Sequence, residues 1–430
     1  MARCMGCMER PEEDASRKRK HGEDAVEMPE ETGKDGLRAF TPGNGAEYER
    51  DGGLFPVADA LCSLEDAFAF SPERDSLFTE ALFENYRYQY ERHPFLRFLA
   101  VRGGFSPERA KASGDIYDIP PLFVGTLKLH RFCSVPDEEV VLTLTSSGTS
   151  GQKTQLLLDT PSLARLEALS RSVFRGLGFE STEPVHYLLF GYEREHAGAV
   201  GTSWSTEQKM VCAPAKTVSW LIRWDDASQE FEFDAVAAAR RIAELAEDAP
   251  LRFLGFPAFM YRAVEELRKI APGLRVDPRS FVIAGGGWKN YAGVPLSQEV
   301  FARFLEESLG LPRENVRDVF GMAEHGVPYG ACRYGHHHVP IFGRLSVRDP
   351  RTLEVLPPGV EGLLHLLTPY NTAQPNCSLL ATDVARLEED CPCGLPGTYI
   401  ASVRRGGTSK HKGCAIAAQE ILDRMARTGA

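Results

Sequence analysis

The sequence predicts an α/β fold, a mainly parallel sheet flanked by helices and joined to a smaller antiparallel β-rich part. Three observations carry this. Strand-like apolar runs alternate with amphipathic helical runs between residues 139 and 321, Gly-rich turns follow three of the strands, and from about residue 340 the pattern changes to short strands and turns.

The elements follow in chain order. The segment "ERPEEDASRKRKHGEDAVEMPEETGKDG" is dense in charge and poor in apolar residues, the composition of a disordered tail. Residues 51–135 read as helical, for example "ERDSLFTEALFENYRYQYERHPFLRFLA", with "DIPPLF" as a Pro-rich break. "EVVLTLTS" is a β-branched strand that opens the alternation. "TPSLARLEALSRSVFRGLG" reads as a helix with Thr160 as N-cap, Pro161 as its first residue and Gly176 near its stop. Then come strands at "VHYLLFGY", "LRFLGF", "SFVIAGGG" and "NVRDVFG", separated by helices at "DAVAAARRIAELAED", "PAFMYRAVEELRKIA" and "PLSQEVFARFLEESLG". In such a sheet ligands bind beyond the carboxyl ends of the strands, which directs attention to the Gly-rich turns.

Composition limits the function. The chain has 430 residues, 43% hydrophobic and 25% charged, with a net charge of −11 and no extended basic face, so a nucleic-acid partner is not expected. No run approaches the roughly 20 apolar residues of a membrane span, and the start "MARCMGCMERPEED" lacks a secretory apolar segment, so a cytoplasmic protein without integral membrane association is expected. Its ten cysteines are unevenly spread, which favours metal or catalytic roles over a disulfide framework.

The densest Ser/Thr/Gly run is "LTLTSSGTSGQKTQ". It is not a Walker loop, because Gln152 separates Gly151 from Lys153. Its hydroxyls, backbone N–H groups and single lysine nevertheless suit a polyphosphate. Taken with "AGGGWK", "VFGMAEHG", "LLATDVARL" and "VRRGGTSKHKGCAIAAQEI" in that order, the run resembles the motif set of the adenylate-forming superfamily of acyl-CoA synthetases and luciferases. The resemblance implies the large domain of that superfamily and the use of ATP with magnesium. Thr145, Ser146, Ser147, Gly148, Thr149, Ser150 and Gly151 would wrap the ATP phosphates, and Lys153 would assist them. Gly285, Gly286 and Gly287 would form the loop on the acyl and adenine side, with Phe320 and Gly321 in the next motif. Glu324 would hold magnesium, although the family threonine before it is Ala323; Asp383 would bind the ribose, and Arg405 would be the hinge arginine, preceded by Arg404 rather than glycine.

Only 25 residues follow Arg405, too few for the mobile lid of an acyl-CoA synthetase, so the lid is expected to be truncated. This ending is similar to that of LuxE-type acyl-protein synthetases, as are "DIPPLFVGTLKLHRFCS" and "GGGWK". In "KGCAIAAQEIL", Cys414 matches that family's acyl-accepting cysteine; Lys410 and Lys412, with His411, would favour its thiolate, and either lysine would supply charge to adenylation. The resemblance thus implies adenylation of a fatty or other carboxylic acid, self-acylation at Cys414 and delivery to a protein partner such as an acyl reductase or acyl transferase. Two alternatives stay open: an acyl- or aryl-CoA ligase of the phenylacetate-CoA ligase kind, and a non-catalytic, zinc-braced acyl-binding subunit.

The expected organisation is a tail at 1–50, a helical part at 51–135, an ATP-binding core at 136–330, a β-rich part at 331–403 and a hinge with shortened lid at 404–430. In the β-rich part, "ACRYGHHHVP" and "DCPCGLPG" suggest a zinc site from Cys332, Cys391, Cys393 and one histidine, which the resemblance to relatives identifies as His338. Phe253, Phe256, Tyr261 and Trp288 lie near strand ends, with Phe256 and Trp288 taken as acyl-pocket walls.

Overall fold

The computed structural model describes residues 38–40, 55–108, 114–145, 154–197, 201–288 and 296–406. Helices α1 (Pro56–Cys62), α2 (Pro72–Arg92), α3 (Pro94–Arg102) and the single turn α4 (Thr126–Leu129) come early in the chain. Ser71 starts α2 by accepting the Arg74 N–H, and the helix buries Phe78, Leu82 and Tyr86. The short strands β1 (Arg38–Phe40), β2 (Leu122–Phe123) and β3 (His130–Phe132) belong to the same part of the chain, with β1 and β3 paired in parallel.

The run expected to open the parallel alternation does something else. Strand β4 (Val140–Thr145) pairs antiparallel with β5 (Gln155–Asp159), Thr145 opposite Gln155, in a two-stranded sheet of its own. Residues 146–153 therefore join two antiparallel strands rather than a strand to a helix, and they lie outside the described residues. Leu156, Leu157 and Leu158, hidden in sequence behind the Ser/Thr/Gly run, are all buried and make β5 a strand. The next element, α5 (Thr160–Gly176), is capped by Asp159, whose carboxylate accepts the Ser162 N–H; Thr160 is already helical, which corrects its reading as N-cap.

A seven-stranded sheet follows, built from β6 (Val185–Tyr192), β7 (Ala215–Asp225), β8 (Glu230–Phe233), β9 (Leu251–Gly255), β10 (Phe281–Gly285), β11 (Val316–Phe320) and β12 (Tyr329–Gly330), in the order β12-β11-β10-β9-β6-β7-β8. The five inner strands are parallel, and the edges β8 and β12 are antiparallel. The connections contain α6 (Arg194–Ala197), α7 (Gly201–Gln208), α8 (Ala235–Leu245), α9 (Pro257–Ile270) and α10 (Gln298–Leu309). The pleat sorts the side chains. Leu188, Phe190, Phe253, Val282 and Ala284 pack with α8, α9 and α10, while Tyr187, Leu189, Leu254 and Ile283 face a core shared with α2, α5 and the second sheet.

The second sheet is antiparallel: β13 (His337–His338), β14 (Arg344–Arg348), β15 (Val355–Leu356), β16 (Glu361–Leu367), β17 (Ser378–Glu388) and β18 (Tyr399–Arg405), ordered β13-β18-β17-β16-β14-β15. From the Pro-rich break, β2 adds itself in parallel to β17, with Leu122 opposite Leu379. No helix among the described residues is long and apolar enough to cross a membrane.

Between β16 and β17 the chain runs through the interior without regular structure. Every residue from Thr368 to Cys377 is buried, so its backbone groups need partners inside the protein. Asn85 on α2 donates to the Pro369 and Asn371 carbonyls at 2.8 and 2.7 Å, and Gln89 donates to that of Thr372. The loop in turn holds the hairpin: Gln374 Nε2 donates to the Gln155 carbonyl, its Oε1 accepts the Leu157 N–H, and Asn371 donates to the Leu157 carbonyl. Gln374→Ala would strip both bonds from β5 and is expected to lower stability by about 1–3 kcal/mol. Urea denaturation followed by circular dichroism checks this; an unchanged midpoint would show that the clamp contributes nothing.

Candidate active site and a thiol-histidine cluster

Three expected site segments meet at the carboxyl ends of adjacent strands. β9, β10 and β11 are neighbours in parallel register, Ala284 opposite Gly255 and Gly285 opposite Val319, so Phe256, Gly285–Gly287 and Phe320–Gly321 leave the sheet side by side. Gly286 and Gly287 have φ of 79° and 72°, which side chains rarely adopt. A Cβ at Gly286 would also lie 2.7 Å from the Phe256 ring. The aromatic chosen as a pocket wall is thus the surface on which the Gly-rich turn rests, and it is 4% exposed. Trp288 packs edge-on against Phe301 and near Tyr261, half-buried beside the same turn, whereas Phe253 stacks on Phe190 in the core.

Glu324 follows in the turn after β11, where Gly326 N–H bonds back to the Met322 carbonyl. Its backbone carbonyl accepts from Asn376 at 2.9 Å. The residue is 8% exposed, and its carboxylate makes no hydrogen bond or ion pair with the described residues. A hard oxygen donor in this condition fits a divalent cation such as magnesium.

A lysine beside the Gly-rich turn has no signal in the sequence. Lys209, in the run "EQKMV" that carries no motif, is 4% exposed and donates to the carbonyl and hydroxyl of Ser205. A carbon added at Gly285 would lie 3.7 Å from its Nζ, so the glycine leaves an ammonium beside the turn. Burial pulls that ammonium down to about 8, against the opposing charge of Asp318. Only the tertiary fold reveals it, because helix α7 and the turn after it bring residue 209 back under β10.

On the second sheet, Asp383 and Arg405 are Cα partners across β17 and β18. Burial raises the Asp383 carboxyl, and Arg405 and Lys128 act against that rise. The expected ribose carboxylate and hinge arginine are therefore neighbours. Thr145 is the last residue of β4; Ser146, Ser147, Gly148, Thr149, Ser150, Gly151 and Lys153 lie outside the described residues, as do Lys410, Lys412 and Cys414.

The four expected zinc ligands come together. One ligand atom from each of Cys332, His338, Cys391 and Cys393 lies within 4.8 Å of the others. Cys332 Sγ is 3.8 Å from Cys391 Sγ, close to the edge of a tetrahedron with metal–sulfur bonds of about 2.3 Å, and Cys393 Sγ is 3.2 Å from His338 Nε2. The donor set fits zinc. Burial opposes ionisation of Cys332, but hydrogen bonds from His338 and the Tyr334 and His336 N–H groups bring it to about 6; burial pushes Cys391 up to about 12. The three consecutive histidines divide their tasks. His338 faces the thiols, His337 contacts Asp318 at 3.3 Å, and His336 stacks on Tyr399 with Nδ1 3.2 Å from Cys391 Sγ.

The family model for acyl-protein synthetase, LuxE, matches residues 57–423. The chain belongs to the LuxE acyl-protein synthetase family. LuxE membership makes it an AMP-forming ligase, which sets aside the non-catalytic alternative. The long-chain-fatty-acid–luciferin-component ligase of Vibrio harveyi is 26% identical over 340 residues, covering 78% of this chain and 86% of that one. The phenylacetate-coenzyme A ligase of Aromatoleum evansii is 24% identical, covering 74% of this chain and 68% of its own length. The LuxE chain also shares its fold with an open conformation of 2-hydroxyisobutyryl-CoA ligase in complex with 2-HIB-AMP and CoA. That likeness has a TM-score of 0.58 at 17% identity and covers 82% of this chain and 80% of the other.

Gly286→Ala would force a side chain into the Phe256 ring at a positive φ. The expected result is a fall in pyrophosphate exchange of roughly ten- to hundredfold, partly recovered when Phe256→Leu is added. Full activity of Gly286→Ala alone would show that this turn is not needed for the reaction.

Proposed function

We propose that the protein adenylates a carboxylic acid, most simply a long-chain fatty acid, and then takes the acyl group onto Cys414 before passing it to an acyl reductase or acyl transferase. The adenylation half is carried by one observation: the Gly-rich turn, Lys209 and the unpartnered Glu324 carboxylate converge at the ends of β10 and β11. In the first step a substrate carboxylate oxygen attacks the α-phosphorus of ATP, the bond to the bridging oxygen breaks, and pyrophosphate leaves. Lys153 and residues 145–151 would hold the phosphates, Asp383 the ribose, and Arg405 its partner carboxylate. Glu324 would hold a magnesium ion, whose charge screens the polyphosphate. Lys209 would place a positive charge below the turn without occupying the pocket.

In the second step the Cys414 thiolate attacks the acyl carbonyl carbon and AMP leaves, giving a thioester. The LuxE match extends to residue 423 and so includes Cys414, and Lys410, His411 and Lys412 adjoin it in sequence. The similarity to a phenylacetate-coenzyme A ligase favours a second reading, in which free coenzyme A is the acceptor. Incubation with ATP and radiolabelled fatty acid separates the two. Label on the protein that disappears in Cys414→Ser supports the self-acylated enzyme, while label appearing only on added coenzyme A overturns it in favour of the ligase.

We further propose that Cys332, His338, Cys391 and Cys393 hold a structural zinc ion that ties the turn before β13 to the turn before β18. All four positions are filled by protein side chains, which leaves no open position for catalysis. Elemental analysis of the purified protein is expected to find stoichiometric zinc, lost in Cys391→Ser and Cys393→Ser together with a lowered melting temperature. Native protein free of zinc would refute this site.

A further inference from the structure

A cleft opens at the amino ends of the parallel strands, opposite the Gly-rich turn. It is an open cleft of about 880 Å³, lined by the segments that precede β6 and β7 and by the first residues of β9 and β10. The strands themselves separate it from the Gly-rich turn.

Arg252, the second residue of β9, forms part of its wall. The side chain is 4% exposed, and its Nε and Nη1 have no hydrogen-bond partner. Its guanidinium carbon lies 5.0 Å from the centroid of the Phe281 ring, a contact that satisfies none of its hydrogen-bond donors. The carboxylates at the rim are already engaged: Glu183 pairs with Arg279, and Glu180 with Arg175. Arg252 has no ion-pair partner among the described residues. Burial lowers its pKa, as it does for a cation held away from water. A guanidinium nonetheless stays charged in a protein, so a buried positive charge here lacks a counterion.

The rest of the wall supplies neutral polar groups. Ser181, Thr182 and Asn315 line the same cleft, and the Asn315 amide N–H₂ is fixed by the carbonyls of Pro278 and Ser280. The Asn315 N–H₂ and the Ser181 hydroxyl already donate to carbonyls, so the unspent donors are those of the Arg252 guanidinium, and a buried planar cation without a counterion is matched in charge and hydrogen bonding by a small oxyanion. We propose that this cleft is a binding site, distinct from the nucleotide side of the sheet, that takes a small oxyanion such as phosphate on Arg252.

Hydrogen–deuterium exchange on the full chain tests this, with millimolar inorganic phosphate against chloride at equal ionic strength, and with acetate as a carboxylate arm. The expected result is slower exchange in residues 178–183 and 210–214 and a raised melting temperature, both absent in Arg252→Gln and weakened in Arg252→Lys. Protection by phosphate alone assigns a phosphate site, and protection by acetate as well assigns a general oxyanion site; either supports the proposal. No protection by either anion, protection confined to residues 283–288 and 318–324, or equal protection in Arg252→Gln overturns it. If Arg252→Gln does not fold, Arg252→Lys and the unmodified protein give the same reading. Pyrophosphate exchange retained in the Arg252 variants keeps this site separate from the adenylation reading.

Discussion

The buried, irregular segment from Thr368 to Cys377 is the constraint on which the rest of the structure depends. A loop normally runs over the surface because water satisfies its backbone. Here the interior does so, through Asn85 and Gln89 on α2, Ser162 and Arg165 on α5, and the edge of β5. Arg165 shows the scale of the arrangement: 5% exposed, it bonds the Tyr370 carbonyl and the Thr372 hydroxyl while pairing with Asp59 on α1. Leaving any one of these groups unpaired would incur its desolvation penalty, so the network fixes where the N-terminal helices, the hairpin and the second sheet sit relative to one another.

The site inherits its order from that framework. The parallel sheet contributes strand ends in register, which places the Gly-rich turn beside the segment of Glu324. The second sheet contributes Asp383 and Arg405 as cross-strand neighbours. Asn376, two residues before β17, bonds the Glu324 carbonyl and so links the turn of one sheet to the chain that enters the other. Chemistry that needs groups from several loops is thus supported on elements whose positions are set by hydrogen bonds and packing.

Much of this was legible in the sequence. β6, β9, β10 and β11 with their helices were read because apolar periodicity is decided locally, and the order of the five motifs pointed to the adenylate-forming fold. The sequence hid what depends on distant partners. β4 looks like any β-branched strand, and only its pairing with β5 takes it out of the main sheet. β7 and β8 were passed over because "AKTVSWLIRWD" lies near a sheet edge, is only half-buried and mixes charges with apolar residues. "TPYNTAQPNC" has the composition of an exposed turn, and its burial follows from contacts more than 200 positions away. Lys209 was invisible for the same reason. The cysteine pairs were legible by spacing, and the resemblance to relatives singled out His338 among the three histidines, the one that lies with the three thiols.

Gln374 and Asn376 stand two positions apart, and one grips the strand that leaves the 146–153 connection while the other grips the carbonyl of Glu324. The short stretch of chain between them therefore acts as a spacer of fixed length between two parts of the site contributed by distant regions of sequence. The one residue between them, Pro375, can change more freely than the spacing it keeps. An insertion or deletion there would throw the two grips out of phase, so among descendants of this chain position 375 should drift by substitution while the residue count between the two grips holds.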